Sequence, residues 1–290
     1  MLKVYVLFLS IFLVQADIIK ADSTQLTPKE IYFQEQINDL LFGYLEERLE
    51  AVANLRIFKN VLAVRSLITV LRGDNFPNSV VNTPILKYAI SQTLASMGQD
   101  IAIKPIMEEY KEYESTITEN DKPFLDEKTE YSLLMALGEM LRSLGALPYS
   151  AESYDLIKTA LTHKNYYIRA SAADSLKRVN RREGIEILVG ALPNEKSEYA
   201  KAAILNALLA LEKSSGNYFS QLMALLKSSD SNVRYRTSVG IGELDIKAAE
   251  PYLKDAILIE DDANVRVQMK KDLVTVRSFR IPDIMPGLKN

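Results

Sequence analysis

Apolar residues recur at helical spacing along most of the chain, and one helix opening appears repeatedly in its second half. Two such helical patterns open in the same way, with polar or acidic residues followed by a Val-Arg pair. The pairs are Val233-Arg234 and Val265-Arg266. Ile168-Arg169 and Ala200-Lys201 fit the same alignment, which gives steps of 32 or 33 residues. An apolar residue before each basic one, and others seven and ten positions after it, lie on or near one helical face. Each unit therefore begins with an amphipathic helix, called helix A below.

The basic residue of each helix A occupies what we call the register position. Register residues are predicted at Arg48, Lys87, Arg169, Lys201, Arg234 and Arg266, and Glu130 is a weaker seventh match. Four positions before the last four of these, the sequence has residue types that cap helix N-termini, at Asn165, Ser197, Asp230 and Asp262. Several tyrosines also follow the helix A openings, at Tyr88, Tyr131, Tyr166, Tyr167, Tyr199 and Tyr235.

A second apolar stretch follows each helix A and predicts a partner helix, called helix B. Pro251 lies in the first turn of one such helix, where a missing N–H costs little. Two antiparallel helices every 32 or 33 residues are typical of an α-solenoid, in which stacking covers the apolar face of each pair. We predict an all-α solenoid of about seven antiparallel helix pairs over residues 29–280.

The units resemble HEAT repeats, in particular the short bacterial type also found in phycobilisome-lyase-like proteins. The Val-Arg pairs, the polar residues before them and the early prolines carry this resemblance. It implies that the register arginine pairs with an acidic residue of a neighbouring unit, a role that Asp230 and Asp262 match by position. Lys201 and Glu130 depart from the arginine, so an interrupted ladder is expected. The alternative is that the register residues form a row of positive charge for an acidic partner.

The resemblance also implies that the B helices line the inner face of the solenoid and the A helices its outer face. On that basis the exposed positions of the B helices would contact a partner. The candidate partner-binding residues are Lys158, Glu186, Gln221 and Lys254.

The N-terminus has the pattern of a secretory signal peptide. Lys3 precedes an apolar run from Val4 to Val14, which is too short to span a bilayer. We predict a signal peptide over 1–16, with cleavage after Ala21 (1–21) as the second choice. A buried N-terminal helix and an uncleaved anchor are the alternatives. The sequence therefore predicts an exported protein in the periplasm, cell envelope or medium.

Three further segments depart from the repeat. Residues 17–28 are polar and are expected to be mobile, and 281–290 carry two prolines and are expected to form an extended tail. An acidic insertion at 108–130 is expected to begin as the end of a helix B and continue as a loop. A calcium site at Asp121, Asp126 and Glu127 is a weaker alternative, because the order of ligands in an EF-hand loop is absent.

Composition excludes several classes of function. The chain has no cysteine and a single histidine, His163, so thiol chemistry and metal sites that need two histidines are ruled out. The formal net charge is −3, unlike the basic field of most nucleic-acid-binding proteins. We therefore expect a non-catalytic scaffold without cofactors, monomeric outside a complex, that binds a protein or peptide. A lyase-like or ligand-carrying protein is the alternative, and a HEAT-like nucleic-acid-binding protein is the second.

Overall fold

The computed structural model describes residues 26–73, 83–119, 127–212 and 216–277, and all of its regular structure is helical in those ranges. Fourteen α-helices follow one another in this part of the chain. They are α1 (Pro28–Phe42), α2 (Leu45–Phe58), α3 (Ala63–Arg72), α4 (Pro84–Met97), α5 (Ile103–Glu119), α6 (Glu127–Ala146), α7 (Ala151–Ala160), α8 (Tyr166–Val179), α9 (Glu183–Ala191), α10 (Glu198–Glu212), α11 (Gly216–Ala224), α12 (Ser231–Glu243), α13 (Glu250–Ile259) and α14 (Ala263–Arg277).

The helices form two rows. The A row contains α2, α4, α6, α8, α10, α12 and α14, which carry the seven register positions in order. The B row contains α3, α5, α7, α9, α11 and α13, and α1 packs beside α2 and α3 at the start of the array. The predicted all-α solenoid is confirmed.

The core lies between the two rows and follows the predicted periodicity. The residue seven positions after the register position is fully buried in six A helices, at Leu55, Leu94, Leu137, Leu176, Leu208 and Ile241. Burying one such side chain contributes about 1.5–3 kcal/mol. The seventh, Leu273, is half-buried in α14, which no further described helix follows. Stacking of units therefore accounts for the burial.

Helices of the A row approach one another closely because small residues lie where they meet. A Cβ added at Gly145 of α6 would stand 2.6 Å from the backbone oxygen of Ser175 in α8. One added at Gly242 of α12 would stand 2.4 Å from the Asp272 side chain in α14. Consecutive A helices accordingly pack along their lengths, whereas consecutive B helices have few contacts. Gly242 thus allows a close approach of α12 and α14.

Two observations indicate that the A helices form the inner side of the array. In a bent double layer the row with the closer packing is the inner one, and here that row is A. Side chains of α8 and α12, which are not neighbours, meet across α10 through Asp174 and Arg236 at 2.8 Å. These contacts oppose the expectation that the B helices line the inner face, and we infer that the A row is the inner one. The expectation came from the resemblance, and the sequence pattern of alternating helices does not itself assign the rows.

The acidic insertion is shorter than expected. Helix α5 continues through 108–119, because Tyr110 is buried at helical spacing from Ile106 and Glu109 forms an internal ion pair. Helix α6 already begins at Glu127, so only 120–126 of the predicted segment lie outside the described residues, with Asp121 and Asp126 of the alternative calcium site.

The predicted signal peptide and the tail at 281–290 lie outside the described residues, as does the predicted mobile segment up to residue 25. Helix α1 begins at Pro28, and Thr27 caps it by accepting a hydrogen bond from the Glu30 amide. None of the described helices is long and apolar enough to cross a membrane.

Candidate functional site

The register arginines form a structural ladder on one edge of the array. Arg169 donates two hydrogen bonds of 2.7 Å to Glu195, and Arg234 donates bonds of 2.7 and 2.6 Å to Glu260. Each acceptor lies six positions before the next register residue. Each arginine also binds the backbone oxygen six positions before itself, as Arg169 does at His163, 2.8 Å away. The ladder therefore fastens each A helix to the loop before it and to the loop that leads into the next unit.

Asp230 and Asp262 do not fill the ladder role that the resemblance implied. Asp230 accepts a hydrogen bond from the Asn232 amide, and Asp262 accepts one from the Asn264 amide, both at 2.8 Å. Both are helix N-caps, which is the role their position in the sequence also predicted. The expected pairing is corrected, because the fork of Arg234 reaches the Glu260 side chain of the intervening loop instead.

The ladder is interrupted, as expected, where Lys201 replaces the arginine. The position equivalent to the ladder acid is Ser228 there, and its hydroxyl donates to Glu198 instead. At the C-terminal end Arg266 binds the backbone oxygen of Glu260. Near the N-terminus Arg48 donates to the Gly43 backbone oxygen at 2.7 Å.

Lys87 makes the most deeply buried ion pair of the register. Its ammonium group pairs with the Glu109 carboxylate of α5, and both side chains are less than 5% exposed. The same nitrogen lies 4.4 Å from the centre of the Tyr113 ring. Burial of this kind leaves no surface for a ligand, so the register position serves packing in this unit.

A second set of charged side chains lies on the inner face. Arg236 of α12 donates from one nitrogen to both oxygens of Asp174 in α8, each at 2.8 Å. Arg142 of α6 donates to Glu139 at 3.0 Å and to the Ser171 hydroxyl at 2.9 Å. Its guanidinium also lies 3.9 Å from Asp174. Three A helices are thus connected through one carboxylate.

Two tyrosines fill the space between these arginines. The rings of Tyr167 and Tyr199 stack with centroids 6.0 Å apart and planes inclined by 24°. Arg236 lies 4.7 Å from the Tyr199 ring centre, and Arg142 lies 5.8 Å from that of Tyr167, as in cation–π pairs. The Tyr199 hydroxyl accepts a hydrogen bond from Arg236 at 3.2 Å.

Neighbouring positive charges keep the Asp174 carboxylate ionised. Burial by itself would raise the pKa of Asp174, but the charges of Arg236 and Arg142 hold it below its usual value. Burial raises the pKa of the Tyr167 hydroxyl. The side chains of Asp174, Arg142 and Arg236 are 13–17% exposed, so solvent reaches them. We call this surface of the A row the groove.

The cluster extends along the groove in both directions. Lys177 of α8 pairs with Glu243 of α12 at 2.8 Å, again across α10. Arg178 donates to the Arg142 backbone oxygen at 3.3 Å, and Arg56 of α2 bonds to Gln92 of α4. We call the charged members the inner-face network: Arg56, Glu139, Arg142, Asp174, Lys177, Arg178, Arg236 and Glu243.

The inner-face network differs in charge from the whole chain. It has five basic and three acidic side chains, whereas the formal net charge of the protein is −3. Three of the basic groups pair with the three acidic ones, whereas Arg56 and Arg178 bond to a side-chain amide and a backbone oxygen. The net positive charge of the set favours anionic ligands near these two arginines.

The predicted partner-binding residues lie apart from this network. Lys158, Glu186 and Lys254 are exposed on α7, α9 and α13, and Gln221 is partly exposed on α11. Lys254 pairs with Glu250 of its own helix at 2.8 Å, and Gln221 bonds to Asn217 at 3.2 Å. They lie on separate B helices of the outer row, and their role in binding stays a prediction.

Sequence reasoning missed the inner-face network because its members are not register residues. A usable signal was present, since Arg236 lies two positions and Asp174 five positions after a register residue, beside the buried stripe. The aromatic residues after the helix openings included Tyr167 and Tyr199, which belong to the site. Among the described residues, no group of three His, Cys, Asp or Glu side chains is placed to hold a metal ion.

No family model and no curated protein matches the chain. Solved structures do match it. The complex of CpcE and CpcF of phycocyanin lyase from Nostoc sp. PCC7120 is 15% identical over 89% of this chain and 97% of that chain, with a TM-score of 0.52. Human deoxyhypusine hydroxylase in complex with glycerol is 16% identical over 84% of both chains, with a TM-score of 0.38. The likeness to the lyase complex shows that the chain has a HEAT-like helical-repeat fold.

The prediction that the protein is not an enzyme has to be corrected. It rested on composition, chiefly the single histidine and the missing cysteine, whereas the matched phycocyanin lyase complex has a similar fold. Absence of cysteine and a single histidine exclude particular chemistries, but they do not exclude catalysis as such.

Proposed function

We propose that this protein is a lyase-like or ligand-carrying HEAT protein that works with a protein partner on the inner face of its A helices. The observation that carries the proposal is the inner-face network with its stacked tyrosines. Two arginines, one shared carboxylate and two aromatic rings converge there from four A helices.

The chemistry of the groove suits binding more than a packing role. Apolar or small residues would stabilise the contact between A helices without desolvating charges, and buried ion pairs are often neutral for stability. Arginine and tyrosine are also the residue types enriched where proteins bind partners. The matched structure with a TM-score of 0.52 is itself a complex of two proteins, which supports a protein partner here.

Export is part of the proposal. The positively charged start, the short apolar run and the small residue at position 16 support cleavage of a signal peptide. Mass spectrometry of the full-length chain expressed in its own cells should find a mature N-terminus at Asp17 or Asp22. Recovery of intact Met1 from a cytoplasmic fraction would contradict export and leave the binding proposal standing.

A crosslinked pull-down of the tagged full-length chain tests which face binds. The inner-face double variant Arg56→Glu/Arg178→Glu reverses two exposed charges. The matched outer variant Lys158→Glu/Lys254→Glu reverses two exposed charges on the B row. We expect the inner variant to lose the companion protein that the outer variant retains. Loss with the outer variant alone would contradict the proposal and favour the B-row residues predicted from the sequence.

A further inference from the structure

Two ion pairs form an arch over the middle helix of the groove. Asp174 and Lys177 of α8 lie one turn apart, and they pair with Arg236 and Glu243 of α12. Helix α10 lies beneath, because it packs against both α8 and α12. The arch thus joins α8 and α12, which are the first and the third A helix of three consecutive units.

Helix α10 has small residues where the arch passes. Ala203 and Ala210 occupy the places that Arg236 and Glu243 occupy in α12, and Asn206 lies between them. Asn206 is 7% exposed and packs against Gly240 of α12. Its side-chain oxygen has no hydrogen-bond partner among the described residues, and neither has the Nε atom of Arg236. Two buried polar atoms at the arch are therefore unsatisfied, which is unfavourable for the folded protein.

The two pairs of the arch differ in how firmly they are held. Asp174 is 14% exposed and is shared by two arginines. Glu243 is 53% exposed, while its partner Lys177 is only 19% exposed. Because the Glu243 carboxylate can be rehydrated when it leaves, this pair is the weaker one and contributes little to stability. Its lysine would then keep only the longer-range attraction of Asp174, one turn away on α8.

We propose that an acidic segment of the protein partner binds in the groove by carboxylate exchange. A carboxylate of the segment takes the place of Glu243 on Lys177, the arch opens at that end, and Asn206 beneath it becomes reachable. Asp174 stays paired with Arg236 and Arg142, so α8 and α12 remain connected at that end. The inference rests on the proposed function, since it gives the chemistry of a partner on the inner face.

Charge complementarity supports an acidic occupant. Five basic side chains of the inner-face network follow the A row from α2 to α12, and Arg56 and Arg178 of these are exposed. An extended segment with several Asp or Glu residues would reach Lys177 and the two exposed arginines in turn. A neutral segment would gain no such pairs and would leave Glu243 in place.

Fluorescence anisotropy of two labelled peptides with the full-length protein tests this exchange. The probe is fluorescein-labelled octaglutamate, and octaglutamine of the same length is the control. We expect binding of octaglutamate only. Equal binding of the two peptides, or of neither, would overturn the inference.

Matched variants locate the binding. Glu243→Gln removes the internal competitor and should tighten octaglutamate binding about two- to fivefold, the strength of a partly exposed ion pair. Lys177→Gln should weaken it by a similar factor. Glu186→Gln on the B row makes the same change in net charge as Glu243→Gln and should have no effect. Equal tightening by Glu186→Gln and Glu243→Gln would reveal a general charge effect and contradict exchange at the arch.

The two proposals fail separately. If the inner-face double variant loses its companion protein while Glu243→Gln leaves octaglutamate binding unchanged, the binding face stands and carboxylate exchange is wrong. If the outer double variant alone loses the companion, the binding face itself is wrong.

Discussion

The two rows of helices carry the same kind of apolar stripe, yet they differ in helix length and in what they do with charge. The A row buries ion pairs, stacks tyrosines and places glycine where neighbouring helices meet. In the B row Glu109 is buried through its pair with Lys87, whereas the pair of Lys254 and Glu250 lies in solvent with side chains 48% and 36% exposed. Consecutive B helices hardly touch one another.

The difference follows from curvature. On the inner side of a bent array the helices converge, so side chains from non-neighbouring helices can meet, as Asp174 and Arg236 do. On the outer side they diverge, and each helix presents its own side chains to water. Convergent polar groups are what a binding site requires, so curvature places the candidate site on the A row.

The largest expected effect contrasts a buried and an exposed lysine. Lys87→Met removes the ammonium group that pairs with Glu109 in the core and should lower the free energy of unfolding by about 3–5 kcal/mol. Lys254→Met removes an exposed pair within one helix of the B row and should cost less than about 1 kcal/mol. Urea unfolding of both variants measures this, and equal losses would contradict the difference between the rows.

A pair of glycines gives the next largest effect. Gly145→Ala in α6 would press a methyl group against the backbone of Ser175, which cannot rotate away, and should cost about 1–3 kcal/mol. Gly190→Ala in α9 of the B row meets nothing within 4 Å and should stabilise by roughly 0.5–1 kcal/mol through helix propensity. Thermal unfolding distinguishes the two; a harmless Gly145→Ala would rule out close packing of α6 on α8.

The register ladder predicts a smaller, pH-dependent effect. Hydrogen bonds from Arg234 hold the pKa of Glu260 below its usual value of about 4.3. A carboxyl with a lowered pKa in the folded protein stabilises it above the unfolded pKa, and that contribution disappears as pH falls through the folded value. Glu260→Gln should therefore cost about 1 kcal/mol near neutral pH.

Urea unfolding of wild-type protein and Glu260→Gln at several pH values measures that contribution. The gap between the two should narrow as pH falls below about 4.3. Asp261→Asn, at an exposed neighbouring carboxylate, is the control and should keep nearly the wild-type profile. A gap that stays constant with pH would contradict the ionic role of Glu260.

Periodicity in the sequence was enough to predict the fold, because every helix A must bury the residue seven positions after its register residue. Leu176, Leu208 and Ile241 were predicted in this way and are fully buried. The caps at Asn165 and Asp230 were also predictable, since capping depends only on local sequence.

The candidate site was not predictable in the same way. Whether Asp174 reaches Arg236 depends on the curvature of three stacked units, to which many small contacts contribute. Ala203 and Ala210 of α10 are ordinary helix residues in the sequence, and only the packed array makes them the floor of the arch. For the same reason the inner and outer rows could be assigned only from the structure.

Intramolecular crosslinking tests most directly the claim that the A row is the inner one. The chain has no cysteine, so introduced pairs react without background. Lys177→Cys/Glu243→Cys joins A helices that are two units apart, and Lys158→Cys/Gln221→Cys joins B helices with the same separation in the array. A short bismaleimide should link the A-row pair within one molecule and leave the B-row pair unlinked. Linkage of the B-row pair alone would contradict the account.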